Sequence, residues 1–205
     1  AVGVDADLHL RAHRPPHRQQ AYADLTLDRP LPLAERLAGL DRPSLQKLLQ
    51  DLEPRSAYAL LTNWAVWARP EQRAPDGDWS IWLILAGRGF GKTRAGAEWV
   101  RSLAEKRGPF GQPSQIRIAL VGATLHDARR VMVEGESGML NIAPADQRPD
   151  WSPTQGLLRW PSGATAQIYS AGEADSLRGP QHHFAWADEI GKWRDGEAAW
   201  ANLQM

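Results

Sequence analysis

Apolar positions in the second half of the chain fall into short continuous runs that are typical of buried strands. Ser80–Ala86, Ile116–Val121 and His183–Ala187 are three such runs, and each is nearly free of charge. A strand that is covered on both faces is apolar throughout, whereas a half-exposed strand alternates between apolar and polar residues. These runs therefore predict the strands of a parallel central sheet.

Two further runs, Leu157–Trp160 and Thr165–Tyr169, flank the turn sequence Pro161-Ser162-Gly163 and predict a hairpin. Helical periodicity fills most of the rest of the chain. One helix is expected from Thr93 to about Arg107 and another after Thr124. Strands that alternate with helices in this way predict an α/β fold.

The stretch 31–67 predicts short helices that form a layer in front of the sheet. Asp41 precedes Pro43 and is the expected cap of the second helix, and a third helix is expected from about Pro54 to Trp67. The predicted inward positions of the three helices are Leu33, Leu37, Leu40, Leu45, Leu48, Leu49, Leu52, Tyr58, Leu61, Trp64 and Ala65.

The pattern divides the chain into three parts: a tail at 1–30, a helical segment at 31–79 and a core at 80–205. Charged residues, prolines and histidines alternate in the tail without helical or strand periodicity, which predicts disorder. The alternative is an arm that binds DNA or a partner, because Arg11, Arg14 and Arg18 belong to a mildly basic tract.

The amino-acid composition of the chain excludes several classes of function. The 205 residues are 42% hydrophobic and 23% charged with a formal net charge of zero, so any contact with DNA needs a local basic patch. Cysteine is absent, which excludes disulfides and thiolate chemistry. No apolar run reaches the roughly 18 residues of a membrane span, and a soluble, intracellular protein is expected.

Most of the ten tryptophans, among them Trp64, Trp67, Trp82 and Trp99, are expected in the core.

A glycine-rich loop follows the run Ser80–Ala86 and leads into a helix. We give this name to residues 87–93, which are Gly87, Arg88, Gly89, Phe90, Gly91, Lys92 and Thr93. A strand, a loop that ends in Gly-Lys-Thr and a helix make up a phosphate-binding P-loop, the Walker A motif, although Ala86 replaces its first glycine. Lys92 is expected to reach the β- and γ-phosphates of ATP, and Thr93 to bind Mg²⁺. The alternative is a purely structural turn.

An acidic pair ends the last apolar run, as in a Walker B motif. Asp188 is expected to hold Mg²⁺ and Glu189 to activate the attacking water as catalytic base. Phosphoryl transfer also needs a cation at the γ-phosphate, and the candidates are Arg88 and Arg178. The alternative for Arg88 is a solvated loop charge, and for Arg178 a packing or DNA contact.

Four motifs together resemble the large subunit of phage DNA-packaging terminases. They are Gly87–Arg101, Leu120–Arg129, Ser176–Gln181 and Trp186–Trp193, and the resemblance covers residues 31–205. The sequence is most similar to the group found in gene transfer agents and prophages of α-proteobacteria.

This resemblance implies an ATP-driven DNA translocase with an ATPase domain of the additional-strand P-loop type and a nuclease domain. In that family the positions of Lys92 and Thr93 bind phosphate and Mg²⁺, Asp188 holds the metal, Glu189 is the base and Arg88 is the loop arginine. The implied partners are double-stranded DNA, a terminase small subunit and the portal ring, on which a homo-oligomeric ring assembles. The implied location is the cytoplasm of the bacterial host, without a membrane partner.

The family pattern continues beyond the Asp-Glu pair with a strand that ends in a coupling motif, and then with the nuclease. Because the sequence stops at Met205, we expect the front part of the motor, with a sheet that is incomplete at its C-terminal end. Two alternatives remain. One is a truncated prophage remnant that binds nucleotide or a partner without turnover, and the other is a different, helicase-like P-loop ATPase.

Overall fold

The computed structural model describes residues 33–204. The predicted tail at 1–30, and with it the alternative of a binding arm, lies outside the described residues. The chain separates into two compact units, with the boundary between Leu48 and Leu49. The second unit contains the sheet and all the candidate site residues.

The helices of the described chain are mostly short. The α-helices are α1 Leu33–Ala38, α2 Arg42–Asp51, α3 Pro54–Thr62, α4 Trp64–Trp67, α5 Lys92–Ala104, α6 Leu125–Asp127, α7 Met139–Ile142 and α8 Gly196–Leu203. Short 3₁₀ helices cover Pro70–Gln72, Pro109–Gly111, Ala171–Leu177 and Ile190–Lys192, and a π-helix covers Ala128–Val133. Among the described residues, no helix has the length and hydropathy needed to cross a bilayer.

The predicted cap of α2 is confirmed, because the Oδ1 atom of Asp41 accepts a hydrogen bond from the amide of Ser44 at 3.2 Å. The apolar stripe of the first two helices is only partly covered. Leu37 is half-buried, whereas Leu40 and Leu48 are exposed. The apolar stripe therefore predicts the two helices correctly, but it does not predict which of its side chains are buried.

In the described residues, five strands form one mixed sheet. They are β1 Arg117–Gly122, β2 Asp150–Ser152, β3 Leu157–Arg159, β4 Thr165–Ser170 and β5 Phe184–Ala187, in the spatial order β2-β3-β4-β1-β5. β1 lies in parallel between β4 and β5, while β3 is antiparallel to both β2 and β4. The predicted hairpin is confirmed as β3 and β4. The prediction of a parallel central sheet holds only for β4, β1 and β5, because the hairpin adds antiparallel strands.

The central strand β1 is buried on both faces, as its apolar run predicts. Ile118 and Leu120 pack on one face against α5 and the π-helix, within a cluster that also contains Trp186. Ala119 and Val121 pack on the other face, within a cluster that includes Trp193 and Ala199. The two layers fix the position of β1 and hence of the residues that follow its C-terminal end.

The prediction of a buried strand at Ser80–Ala86 is wrong for this structure. These residues form no strand, and Leu83 and Leu85 are 63% and 85% exposed. Exposed and half-buried residues alternate from Ile81 to Ala86. An apolar run becomes a buried strand only where neighbours cover both faces and pair with its backbone, and no strand of the described chain pairs with this one.

The third predicted helix is divided at Asn63 into α3 and α4. The Oδ1 atom of Asn63 accepts a hydrogen bond from the amide of Ala65 at 3.0 Å and thereby starts a new helix. The expected inward stripe is wrong, because Tyr58 and Leu61 are exposed and Val66 is buried instead.

The expected core role of the tryptophans also needs correction. Trp67 is exposed, and Trp64, Trp82 and Trp99 are half-buried. The buried tryptophans of the described chain are Trp160, Trp186 and Trp193.

Candidate functional site

The carboxyl ends of the parallel strands place the acidic pair at one edge of the sheet. Val121 of β1 is in register with Ala187 of β5, and the amide of Asp188 donates a hydrogen bond to the carbonyl oxygen of Val121 at 3.0 Å. Asp188 thus continues the ladder by one residue beyond β5. This edge is where parallel α/β sheets commonly bind their ligands.

The glycine-rich loop turns sharply before α5. Gly89 and Gly91 have positive φ angles of 77° and 84°, which side chains other than glycine adopt at a cost. Gly91 is the N-cap of α5, so Lys92 and Thr93 are the first two residues of the helix. The start of a helix has free N–H groups and a partial positive charge, both of which favour an anion.

Lys92 folds back over the glycine-rich loop. Its Nζ atom donates hydrogen bonds to the carbonyl oxygens of Ala86 at 2.7 Å and Gly87 at 3.0 Å. Its positive charge acts to lower the pKa of the Asp188 carboxyl group. The helix that begins with Lys92 packs against β5, because a Cβ atom on Gly96 of α5 would lie 2.4 Å from the Trp186 ring. The fold therefore brings together the two elements that carry Lys92 and Asp188, which are far apart in the sequence.

Asp188 is half-buried, and its pKa is raised above the ordinary value of 3.8. Burial is the largest cause, since it disfavours the charged form, and the negative charge of Glu189 is the next. A bound cation would favour the charged form and oppose both effects. The position thus suits a carboxylate that takes part in binding a metal.

This pKa predicts how Asp188 affects stability as the pH changes. A carboxyl group with a raised folded-state pKa holds its proton more tightly in the folded chain, so its contribution to stability is lost as pH rises through that pKa. Asp188→Asn is therefore expected to increase the free energy of unfolding at pH 7, and to have a smaller effect at pH 4. Urea unfolding of both proteins at the two pH values, without divalent cations, measures the difference. A destabilised variant at pH 7 would contradict the prediction.

Glu189 has an unusual backbone conformation. Its φ and ψ angles are both 48°, in the left-handed region that non-glycine residues rarely occupy. Its exposed carboxylate forms an ion pair with Lys192, three residues later. Strained backbone of this kind is concentrated at functional sites.

The two candidate arginines lie in different surroundings. Arg88 is exposed on the glycine-rich loop, and its charge acts to lower the pKa of Lys192, three residues after Glu189. Arg178 instead donates from Nε to Oδ1 of Asn202 on α8 at 3.0 Å. In the described part of the chain, no hydrogen bond joins Arg178 to the glycine-rich loop.

Sequence reasoning missed a pair of residues that hold the glycine-rich loop. Gln72 is buried, and its Nε2 atom donates to the carbonyl oxygen of Phe90 at 2.8 Å, which also accepts a hydrogen bond from Arg69. The Arg69 guanidinium lies 5.0 Å from the centroid of the Phe90 ring. A Cβ atom on Gly91 would lie 2.6 Å from Nε2 of Gln72. Gln72 and Arg69 therefore help to fix the loop's shape.

The donor set fits Mg²⁺ with a nucleotide. The start of α5 and the ammonium group of Lys92 suit phosphate oxygens, while the Thr93 hydroxyl and the Asp188 carboxylate are hard oxygen ligands. Within the described residues, no group of three or more His, Cys, Asp or Glu side chains could hold a metal alone. Mg²⁺ commonly takes one or two protein carboxylates together with substrate phosphates, which matches this arrangement.

Fold and site define a mixed α/β protein in which an acidic pair follows the parallel strand β5 and a glycine-rich loop leads into α5, the helix that packs on that strand. A family described as "Terminase large subunit, T4likevirus-type, N-terminal" matches residues 83–204, more than half of the chain. The chain therefore belongs to the terminase large-subunit family. A search of curated proteins found no match.

Proposed function

We propose that this chain is the ATP-binding, ATP-hydrolysing portion of a phage-type terminase large subunit, which powers the packaging of DNA into a capsid. The proposed fold type is the additional-strand P-loop NTPase. The observation that carries the proposal is the direct packing of α5, which begins with Lys92, against Trp186 of β5, two residues before Asp188. Membership of the terminase large-subunit family supports DNA packaging as the process.

The residues take the following roles in this proposal. The glycine-rich loop and Lys92 bind the phosphates, and Thr93 and Asp188 bind Mg²⁺. When bound, Mg-ATP supplies the phosphoanhydride bond whose hydrolysis provides the free energy. The carboxylate of Glu189 orients the attacking water and accepts its proton.

Arg88 is the proposed source of positive charge at the γ-phosphate. Its exposure on the glycine-rich loop supports this role, because a guanidinium beside the phosphates stabilises the charge that develops during phosphoryl transfer. Arg178 is the second candidate. Its bond to Asn202 leaves the side chain 63% exposed, so another molecule can reach it.

The proposed partners follow from the family. They are double-stranded DNA, a terminase small subunit and the portal ring, on which several copies of the chain assemble in the cytoplasm of a bacterial host. Within the family we place the chain in the gene transfer agent and prophage group, on the motif similarity of residues 87–101 and 186–193.

Loss of Mg-ATP binding in Lys92→Ala tests the proposal. The variant is expected to bind Mg-ATP at least about tenfold more weakly than the wild type, because a charge-assisted contact to the phosphates is removed. Isothermal titration calorimetry measures the affinity, and Lys106→Ala, which removes the same charge from an exposed position beyond α5, is the control.

Equal affinity in the wild type and Lys92→Ala would contradict the proposed site. An assay of phosphate release then shows whether the bound ATP is also hydrolysed. Lys92-dependent binding without phosphate release, alone or with duplex DNA, would favour the alternative of a nucleotide-binding remnant.

A further inference from the structure

A tight turn follows the acidic pair and is fixed by its own hydrogen bonds. The amide of Lys192 donates to the carbonyl oxygen of Glu189 at 2.8 Å, and the amide of Trp193 donates to that of Ile190 at 3.0 Å. The buried indole of Trp193 donates from Nε1 to the carbonyl oxygen of Asp188 at 3.1 Å. The backbone between Asp188 and Trp193 is therefore held on both sides of Glu189.

This turn returns the ammonium group of Lys192 to the carboxylate of Glu189. The two side chains form an ion pair while remaining 68% and 53% exposed, so both are open to a ligand. The hydrogen bond and the charge of Glu189 raise the pKa of Lys192. The charge of Asp127 adds to this rise, and the charge of Arg88 opposes it.

The proposed ligand creates an electrostatic problem at this place. Asp188 and Glu189 are adjacent carboxylates, and the charge of Glu189 already acts to raise the pKa of Asp188. In the proposed function the γ-phosphate of ATP brings further negative charge next to Glu189. Like charges at short range disfavour binding unless a cation offsets them.

We propose that Lys192 is a positioning residue that offsets the charge of Glu189, so that this carboxylate and the γ-phosphate of ATP lie side by side. This inference rests on the proposed function. Lys192 acts through Glu189 and does not itself take part in the reaction. The αL backbone of Glu189 and the short turn after it serve to bring the two side chains together.

Comparison of Mg-ATP and Mg-ADP binding tests the proposal without a need for turnover. Lys192→Gln is expected to weaken Mg-ATP binding about two- to fivefold, the range that one exposed charge pair supplies, and to leave Mg-ADP binding unchanged. Lys192→Arg is expected to keep the wild-type affinity for both nucleotides. The double variant Lys192→Gln/Glu189→Gln is expected to recover the affinity for Mg-ATP, because the uncompensated carboxylate is gone.

The outcomes separate this inference from the proposed function. Wild-type binding that depends on Lys92 but is unchanged in Lys192→Gln would overturn the inference alone. Equal weakening of both nucleotides, without recovery in the double variant, would also overturn it, since that result indicates a structural role. A wild-type chain that binds no Mg-ATP would overturn the proposed function and the inference together.

Discussion

Glu98→Ala is expected to lower the free energy of unfolding by about 3 kcal/mol, because it breaks a buried ion pair and removes the most buried carboxylate that faces Arg101. Glu98 is only 3% exposed. Its Oε2 atom accepts a hydrogen bond from Nε of Arg101 at 2.7 Å, and its Oε1 atom accepts one from Nε of Arg94 at 2.9 Å. The change from glutamate to alanine hardly alters helix propensity, so the loss reports the ion pairs.

A matched variant on the same helix gives the control. Glu105 also pairs with Arg101, at 3.3 Å, but its side chain is 28% exposed. Glu105→Ala is therefore expected to cost less than about 1 kcal/mol. Urea unfolding of both variants at pH 7, followed by tryptophan fluorescence, measures the difference. Similar losses in the two variants would show that Glu98 does not hold a buried network.

The Glu98 network joins α5 to the helices before the glycine-rich loop. Arg101 donates from Nη2 to the carbonyl oxygen of Thr62 at 2.8 Å, and Arg94 lies 5.4 Å from the ring centroid of Trp64. These contacts orient the helix that begins with Lys92 and Thr93. Loss of Glu98 is thus also expected to weaken Mg-ATP binding in the fraction that remains folded.

Local patterns in the sequence predicted the strands β1, β3, β4 and β5 correctly, whereas the site residues named from the motifs stay a prediction. β1 is an apolar run that the structure buries on both faces, and β3 and β4 flank a Pro-Ser-Gly turn. The glycine-rich loop was predicted from the spacing of its glycines and Lys92. Helix α5, which begins with Lys92, packs on β5, which leads to Asp188; the role of these residues in binding ATP stays a prediction.

Features that depend on residues far away along the chain could not be predicted from local sequence patterns. The apolar run Ser80–Ala86 resembles β1, but it has no paired neighbour in the described chain, and its burial could not be judged from its residues alone. Gln72 reaches Phe90 across 18 positions, and no periodicity predicts such a contact. The same holds for the helical face at Tyr58 and Leu61, whose exposure depends on the elements beside it.

Gly96 is the clearest case in which a residue's role emerges only from the packing. It lies in the interior of α5, where glycine is about 1 kcal/mol less favourable than alanine, so propensity alone predicts that Gly96→Ala stabilises the protein. The structure predicts the opposite. A Cβ atom at this position would lie 2.4 Å from two atoms of the Trp186 indole ring, which is itself buried. Gly96→Ala is expected to lower the free energy of unfolding by about 2 kcal/mol, as overpacking of a core does.

Helix propensity predicts that Gly96→Ala raises the free energy of unfolding, whereas overpacking against Trp186 predicts that it lowers it. Gly172→Ala is the control, because its nearest neighbour would be at an ordinary contact distance of 3.5 Å, and it is expected to change stability little. In a Trp186→Leu background the ring atoms are gone, so Gly96→Ala is expected to become neutral or stabilising. Urea unfolding of the four proteins in this cycle measures the coupling. A stabilising Gly96→Ala in the wild-type background would contradict the prediction.

The close contact that a Cβ atom on Gly96 would make also affects the candidate nucleotide site. Trp186 lies on β5 two residues before Asp188, and Gly96 lies on α5 four residues after Lys92. A side chain between helix and strand therefore has to move these two elements apart, and with them Lys92 and Asp188. Gly96→Ala is thus expected to weaken Mg-ATP binding even at temperatures where the variant is fully folded, whereas Gly172→Ala is expected to bind as the wild type does.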